Sequence, residues 1–138
     1  MDMNQIKIIN KKDIGFNGEN KILDKLKTNG FSLYKRNVKY GYVEIDLIVY
    51  KFNEYKKTLD IRIVEVKTRS AVTYDLNYFG LDKKWINIIK YIFTIKRDID
   101  GLFADLRYSE IHFDFALVRY KEGGFEISKY IKDINLLL

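Results

Sequence analysis

The sequence predicts an α/β fold, two helices and five strands in the order α-β-β-β-α-β-β around a mixed sheet. Three observations carry this. Two stretches repeat apolar residues at three- and four-residue spacing, the signature of one helix face. Five others are short runs rich in Val, Ile, Tyr and Phe, most of them bounded by turn residues. The chain of 138 residues is long enough for one ordinary core.

Residues 1–12 are polar and Lys-bearing and read as an irregular lead-in to a single domain over 13–138. The first helix is expected from Asp13, whose carboxylate can cap an N-terminus. Glu19, Ile22, Leu23 and Leu26 then share one face, and Asn29-Gly30 supplies a C-cap. "FSLYKRNVKY" (31–40) reads as a strand and "KYGY" as a hairpin turn. "YVEIDLIVYK" (42–51) is the second strand, residues 52–58 a hairpin loop, and "LDIRIVEVKTR" (59–69) the third strand. Residues 70–80 show little periodicity. Leu81, Trp85, Ile88, Ile92 and Ile95 predict one helix over 82–97. Residues 98–108 carry no decisive pattern. "EIHFDFALVRY" (110–120) is a strong strand, Glu122-Gly123-Gly124 a turn, and "FEISKYI" (125–131) a short last strand. The "INLLL" tail is expected to dock on its own domain or on a partner subunit, as in a homodimer.

Lys and Arg number 25 against 19 Asp and Glu, a formal charge of +6 that attracts phosphates. The same bias, with many Lys, Ile, Asn and Tyr and no Pro, also follows from genome base composition, so charge alone does not decide for nucleic acid. The absence of Cys excludes disulfides and Cys-based zinc sites. No apolar run is long enough to span a bilayer and no signal-peptide core opens the chain, so the expected location is cytoplasmic, with no membrane partner.

Charged residues inside the apolar strands are the chemical signal. Side chains alternate across a strand. Val43, Ile45, Leu47 and Val49 are therefore expected on one face, and Glu44, Asp46 and Ile48 on the other. Ile61, Ile63, Glu65 and Lys67 share a face of the third strand, with Glu65 and Lys67 roughly 6–7 Å apart along it. If the two strands form a hairpin, Asp46 approaches Glu65, and Glu19 on the apolar face of the first helix can join them. Three carboxylates and an ammonium on one patch are costly unless compensated, and Mg²⁺, a hard cation that takes carboxylate oxygens beside phosphate, compensates them. Lys67 can place the attacking water or neutralise charge developing at phosphorus. The pattern suits metal-assisted phosphodiester hydrolysis. From spacing alone it suits equally an exposed strand face with a surface salt bridge contributing about 0–1 kcal/mol.

Asp46 followed by Glu65-Val66-Lys67 resembles the PD-(D/E)XK nuclease superfamily, with Ile45 where that motif has Pro. "GFNGEN" (Gly15, Gly18, Glu19), "NGFSLYKRN", "EIDLIVY", "VEVKTR" and "HFDFALV" (Asp114), in this order over about residues 13–120, resemble the YraN family of small endonuclease-like proteins, relatives of Holliday-junction resolvases. The family usually has Gly directly before the Glu of "EIDLI"; this chain has Gly41-Tyr42-Val43-Glu44, and a longer tip, "KFNEYKKT", between the two catalytic strands. The resemblance implies a restriction-endonuclease-like sheet and a Mg²⁺- or Mn²⁺-dependent endonuclease acting on DNA more than RNA, on branched or flapped structures. Asp46, Glu65 and the Val66 carbonyl would hold metal, Lys67 would serve the water, and Glu19 would complete the site. Arg69, Lys83 and Lys84 are the candidates for phosphate contacts, which position without reading sequence. His112 reads as structural, and Asp114 stays outside the catalytic set. Two other functions compete: a nucleic-acid-binding module with little or no cleavage, and a protein-interaction domain, which would show no salt-dependent DNA binding.

Overall fold

A computed structural model describes residues 11–70 and 79–134. Its elements are α1 (Lys11–Thr28), β1 (Ser32–Tyr40), β2 (Val43–Asn53), β3 (Thr58–Arg69), α2 (Leu81–Ile89), α3 (Ile92–Asp100), β4 (Tyr108–Lys121) and β5 (Gly124–Ile131). The strands form one sheet in the order β1-β2-β3-β4-β5. β3 and β4 are parallel, joined by the crossover that carries α2 and α3, and the other neighbours are antiparallel. This is the mixed α/β architecture expected, a five-stranded sheet flanked by helices and consistent with a restriction-endonuclease-like fold. No helix among the described residues is long and apolar enough to cross a membrane.

Each sheet face has its own core. Ile61, Ile63, Phe113, Phe115 and Leu117 pack with Leu81, Ile88, Ile95 and Ile99 of α2 and α3. Leu47, Val49, Val64, Val66, Ala116 and Val118 pack with Ile22, Leu23 and Leu26 of α1. Burying this much aliphatic surface on both sides, at roughly 25 cal/mol per Å², is the main force holding the layers.

Several local expectations meet the structure with changes. Lys11 is already helical, so Asp13 lies within α1, in the first turn of its described length, and not at the cap. Residues 1–10 of the lead-in, 71–78 of the expected loop and 135–138 of the tail lie outside the described residues. At the other end of α1, Phe31 N–H bonds the Leu26 carbonyl and Gly30 N–H that of Lys27, with Gly30 at φ 92°. This pairing ends a helix with its last carbonyls satisfied. The single helix over 82–97 is two. It breaks at Lys90-Tyr91, where Tyr91 leaves helical geometry at φ −111°, ψ 1° and its ring packs at 5.8 Å from Tyr40. The apolar period runs through the break because Ile88 and Ile95 still face the same core. The loop expected over 52–58 shrinks to four residues, since β2 runs to Asn53 and β3 starts at Thr58.

The strict alternation expected in β2 does not hold. Val43, Ile45 and Ile48 join the α2–α3 core, whereas Leu47 and Val49 join the α1 core. The phase resets at Asp46. The β2–β3 ladder reaches only to Leu47 opposite Val64, and beyond that pair the strands no longer bond. On the other side, Arg36 faces Leu47 and Val38 faces Ile45, so Asn37 sits across from Asp46, and Asn37 is left-handed at φ 50°. Both neighbours of Asp46 have thus left regular pairing.

Candidate active site

The divergence of β2 and β3 builds the site. A backbone N–H that would bond the next strand needs another acceptor. Asp46 supplies it: its Oδ2 accepts from Val66 N–H at 2.9 Å. Glu65, the residue before, is 2% exposed. Lys67 Nζ lies 3.1 Å from Glu65 Oε1, and Lys84 Nζ from α2 lies 2.5 Å from Oε2. Glu65 and Lys67 thus continue the Ile61–Ile63 row toward α2, as the alternation of β3 predicts.

Burial pushes the Asp46 carboxyl up to about 7, and the charge of Glu65 adds to it. The Val66 N–H and the Lys84 charge act in the opposite direction, and Glu19 adds a smaller push upward. Two carboxyl groups this close in a dry setting resist joint ionisation. A displaced acid with a named charge partner is what a working site shows more often than a strut does.

Glu19 is brought near by a glycine. A Cβ on Gly18 would stand 1.8 Å from Thr68 Oγ1, so α1 can cross the end of β3 this closely only where the side chain is hydrogen. Glu19 is 9% exposed, and burial raises its carboxyl against the lowering effect of Arg36. Arg36 Nε bonds Glu19 Oε1 at 3.1 Å. The guanidinium also donates to Asn20 Oδ1 at 2.6 Å and the Phe16 carbonyl at 2.7 Å, and lies 3.7 Å from the centre of the Phe16 ring. Sequence reasoning missed Arg36. Its signal was a cation in mid-strand beside a helix whose apolar face carries a carboxylate.

The three phosphate-contact candidates separate. Lys84 is committed to Glu65 and belongs to the carboxylate cluster; its position on the α2 face turned toward β3 decides this, and that packing is not local in sequence. Arg69 is exposed, donates to the Thr68 carbonyl at 2.9 Å and lies 5.7 Å from the Phe79 ring centre. Lys83 is exposed and lines a cleft of about 330 Å³ with Tyr42, Val43, Glu44, Gly80, Lys84 and Asn87.

Among the described residues no group of three or more His, Cys, Asp or Glu side chains is gathered as a metal cage. The donors at hand are the Asp46 and Glu65 carboxylates and the Val66 carbonyl. This set fits Mg²⁺ or Mn²⁺, which is commonly held through one or two carboxylates with water and substrate phosphate filling the rest, and does not need a closed cage.

A larger cavity of about 810 Å³ lies away from this cluster, lined by Asp60, Arg62, Asp114 and Tyr130 among others. Its buried acid is satisfied. Asp114 accepts from Tyr130 Oη at 2.7 Å, from Arg62 Nη1 at 3.2 Å and from Asp133 N–H at 2.9 Å. His112 stands at the edge of that network, against Asp133 and Glu110. Both residues are tied into this network.

The sequence profile of the uncharacterised protein family UPF0102 matches residues 18–95, a span that holds Glu19, Asp46, Glu65 and Lys67. Curated UPF0102 proteins are similar over most of their length. That of Dictyoglomus turgidum is 35% identical over 117 residues, 84% of this chain and 90% of the relative. That of Acinetobacter baylyi is 31% identical over 83% of this chain and 79% of its own. That of Bacteroides thetaiotaomicron is 30% identical over 88% and 90%. A solved protein of unknown function from Silicibacter pomeroyi aligns over 90% of this chain and 75% of its own, at TM-score 0.41 and 13% identity.

Proposed function

The chain belongs to the uncharacterised family UPF0102, the YraN family, and from that premise we propose that it is a metal-dependent endonuclease of the PD-(D/E)XK type acting on DNA. The observation that carries the reading is the juxtaposition of Asp46 and Glu65 where β2 and β3 part, with the Asp46 carboxyl pushed up to about 7 by burial and by its neighbour. A strut has no use for that repulsion, whereas a divalent cation removes it. Asp46, Glu65 and the Val66 carbonyl would hold Mg²⁺ or Mn²⁺. When bound, the ion supplies a Lewis acid for the phosphoryl oxygens. Lys67 stays at the mouth of the site, its side chain 29% exposed, where its ammonium can orient water and offset negative charge developing at phosphorus. Arg36 holds Glu19 in place behind Asp46, and Glu19 adds negative charge that favours a cation. A chain of +6 formal charge attracts nucleic acid.

The test is cleavage by wild type and Asp46→Asn on linear, flapped and four-way DNA, with and without Mn²⁺. Metal-dependent nicking by the wild type, reduced roughly 1,000-fold or more in Asp46→Asn, is expected. Equal nicking by both proteins, or none on any substrate, overturns the reading. One observation favours the alternative of a binding module without cleavage: Lys67 and Lys84 already balance Glu65. Calorimetric titration with Mn²⁺ separates the two. The module predicts no difference between wild type and an Asp46→Asn/Glu65→Gln variant.

A further inference from the structure

We propose that Tyr42 is a base-stacking residue beside the carboxylate site and that it favours nucleic acid with an unpaired nucleotide next to the cut. The proposal rests on the nuclease reading and gives it a substrate preference.

Two clefts, of about 330 and 140 Å³, meet at the tip of the β1–β2 hairpin, and Tyr42, Val43 and Asn87 line both. The first continues to Glu44, Lys83 and Lys84, the second to Lys90 and Tyr91. Lys83, Asn87 and Lys90 follow the four- and three-residue spacing of one helix face, so the floor is the polar side of α2. Lys84 ties this groove to the site, because its ammonium is on Glu65. The groove therefore runs from the carboxylates past a row of cations, the charge that a phosphate backbone complements.

Above it stands an aromatic ring with no place in either core. Tyr42 is fully exposed, at 105% of its reference area. Its mounting is nevertheless firm. Tyr40 pairs with Val43, leaving a two-residue turn of Gly41 and Tyr42. Gly41 has φ 62°, and a Cβ there would lie 2.2 Å from Tyr91 Oη, so the tip rests against the break between α2 and α3. Val43, next along, packs on the core. An aromatic ring held on a fixed tip loses little freedom on binding. Base faces in a duplex are already stacked and offer it nothing, whereas an unpaired base can stack on it.

The experiment measures fluorescence anisotropy of a labelled single strand and of its blunt duplex in EDTA, so that binding is read without cleavage. Wild type, Tyr42→Ala, Tyr42→Trp and Lys83→Ala are compared, alongside Mn²⁺-dependent nicking by the wild type. Tyr42→Ala should weaken single-strand binding roughly 5- to 150-fold and collapse the single-strand-to-duplex preference. Tyr42→Trp should restore that preference, and Lys83→Ala should weaken both ligands alike. An unchanged preference in Tyr42→Ala, in a wild type that cuts DNA, overturns the role of Tyr42 and leaves the nuclease reading standing. A Tyr42-dependent preference in a protein that never cuts supports the stacking role and sinks the nuclease reading. A wild type that binds neither ligand overturns the stacking role, and one that also never cuts overturns both.

Discussion

Asp46 and Asp114 are both aspartates set in sheet strands near an arginine or lysine, yet their surroundings differ in kind. Asp114, 1% exposed, has both oxygens engaged by donors from three directions: a guanidinium, a phenol and a backbone N–H. It ties β4 to β3 through Arg62 and to β5 and the segment after it through Tyr130 and Asp133. Burial of Tyr130, and then the charge of this carboxylate, raise its hydroxyl far above the ordinary range. Asp46 has one backbone donor and a second carboxylate beside it. A buried charge with its hydrogen bonds complete acts as structure; one left in repulsion is open to a compensating cation, as the proposed function requires.

Breaking the satisfied cluster should have the largest effect. Asp114→Ala removes the acceptor of the Tyr130 hydroxyl and of the Asp133 N–H and one of the three carboxylates around Arg62, which keeps Asp60 and Asp133. A loss of about 3–5 kcal/mol is expected, since each buried donor left without an acceptor costs about 1–3 kcal/mol. Urea unfolding would show it, and cleavage per folded molecule should survive. If Asp114→Ala folds normally and loses cleavage alone, the contrast drawn between the two aspartates is wrong.

Next comes Lys67→Ala, the sharpest test of the unbalanced cluster. A drop in nicking of roughly 100- to 1,000-fold, about 3–4 kcal/mol of barrier, is expected if the ammonium serves the reaction. Thermal unfolding should move little, because Lys84 remains on Glu65 and a partly exposed pair contributes about 1 kcal/mol or less. A destabilised but active variant would make Lys67 a strut.

The last effect is on stability and has a distinctive pH dependence. The folded protein keeps Asp46 protonated up to about 7, whereas an unfolded chain releases that proton near 3.8. The cost of burying the ionised group is therefore absent below about pH 4, grows between these values and is complete above about pH 7. Asp46→Asn removes it while keeping an acceptor for Val66 N–H. The variant should be more stable than wild type at pH 8, by at most about 4 kcal/mol, and equal to it near pH 4. Denaturant midpoints at the two pH values measure this. A variant less stable at both would show that Asp46 is satisfied as Asp114 is.

Much of this arrangement could be read from short stretches. Glu65 and Lys67 share the Ile61–Ile63 face because two-residue alternation is a property of the strand itself. The Gly30 cap and the Gly41 and Gly123 turns follow from positive φ, which glycine adopts freely. Other features were illegible for a common reason. The helix break at Tyr91 leaves no mark in the apolar period, because α2 and α3 bury one continuous row. The phase reset at Asp46 looks like ordinary alternation until the ends of β2 and β3 are seen to part.

The sequence by itself determined the order of strands and helical segments apart from the break at Tyr91, the two apolar faces of the sheet and the candidate set of Glu19, Asp46, Glu65 and Lys67, since these rest on periodicity, turn chemistry and the cost of charge among Val and Ile. Only the tertiary structure decided the partners. It drew Lys84 from the phosphate candidates onto Glu65, clamped Glu19 with Arg36 across 17 residues, closed Asp114 into a network with Arg62 52 residues away, and seated the Tyr42 turn on the break at Tyr91. Such pairings depend on how helices lie across a sheet, and a local pattern carries no record of a contact formed by packing at a distance.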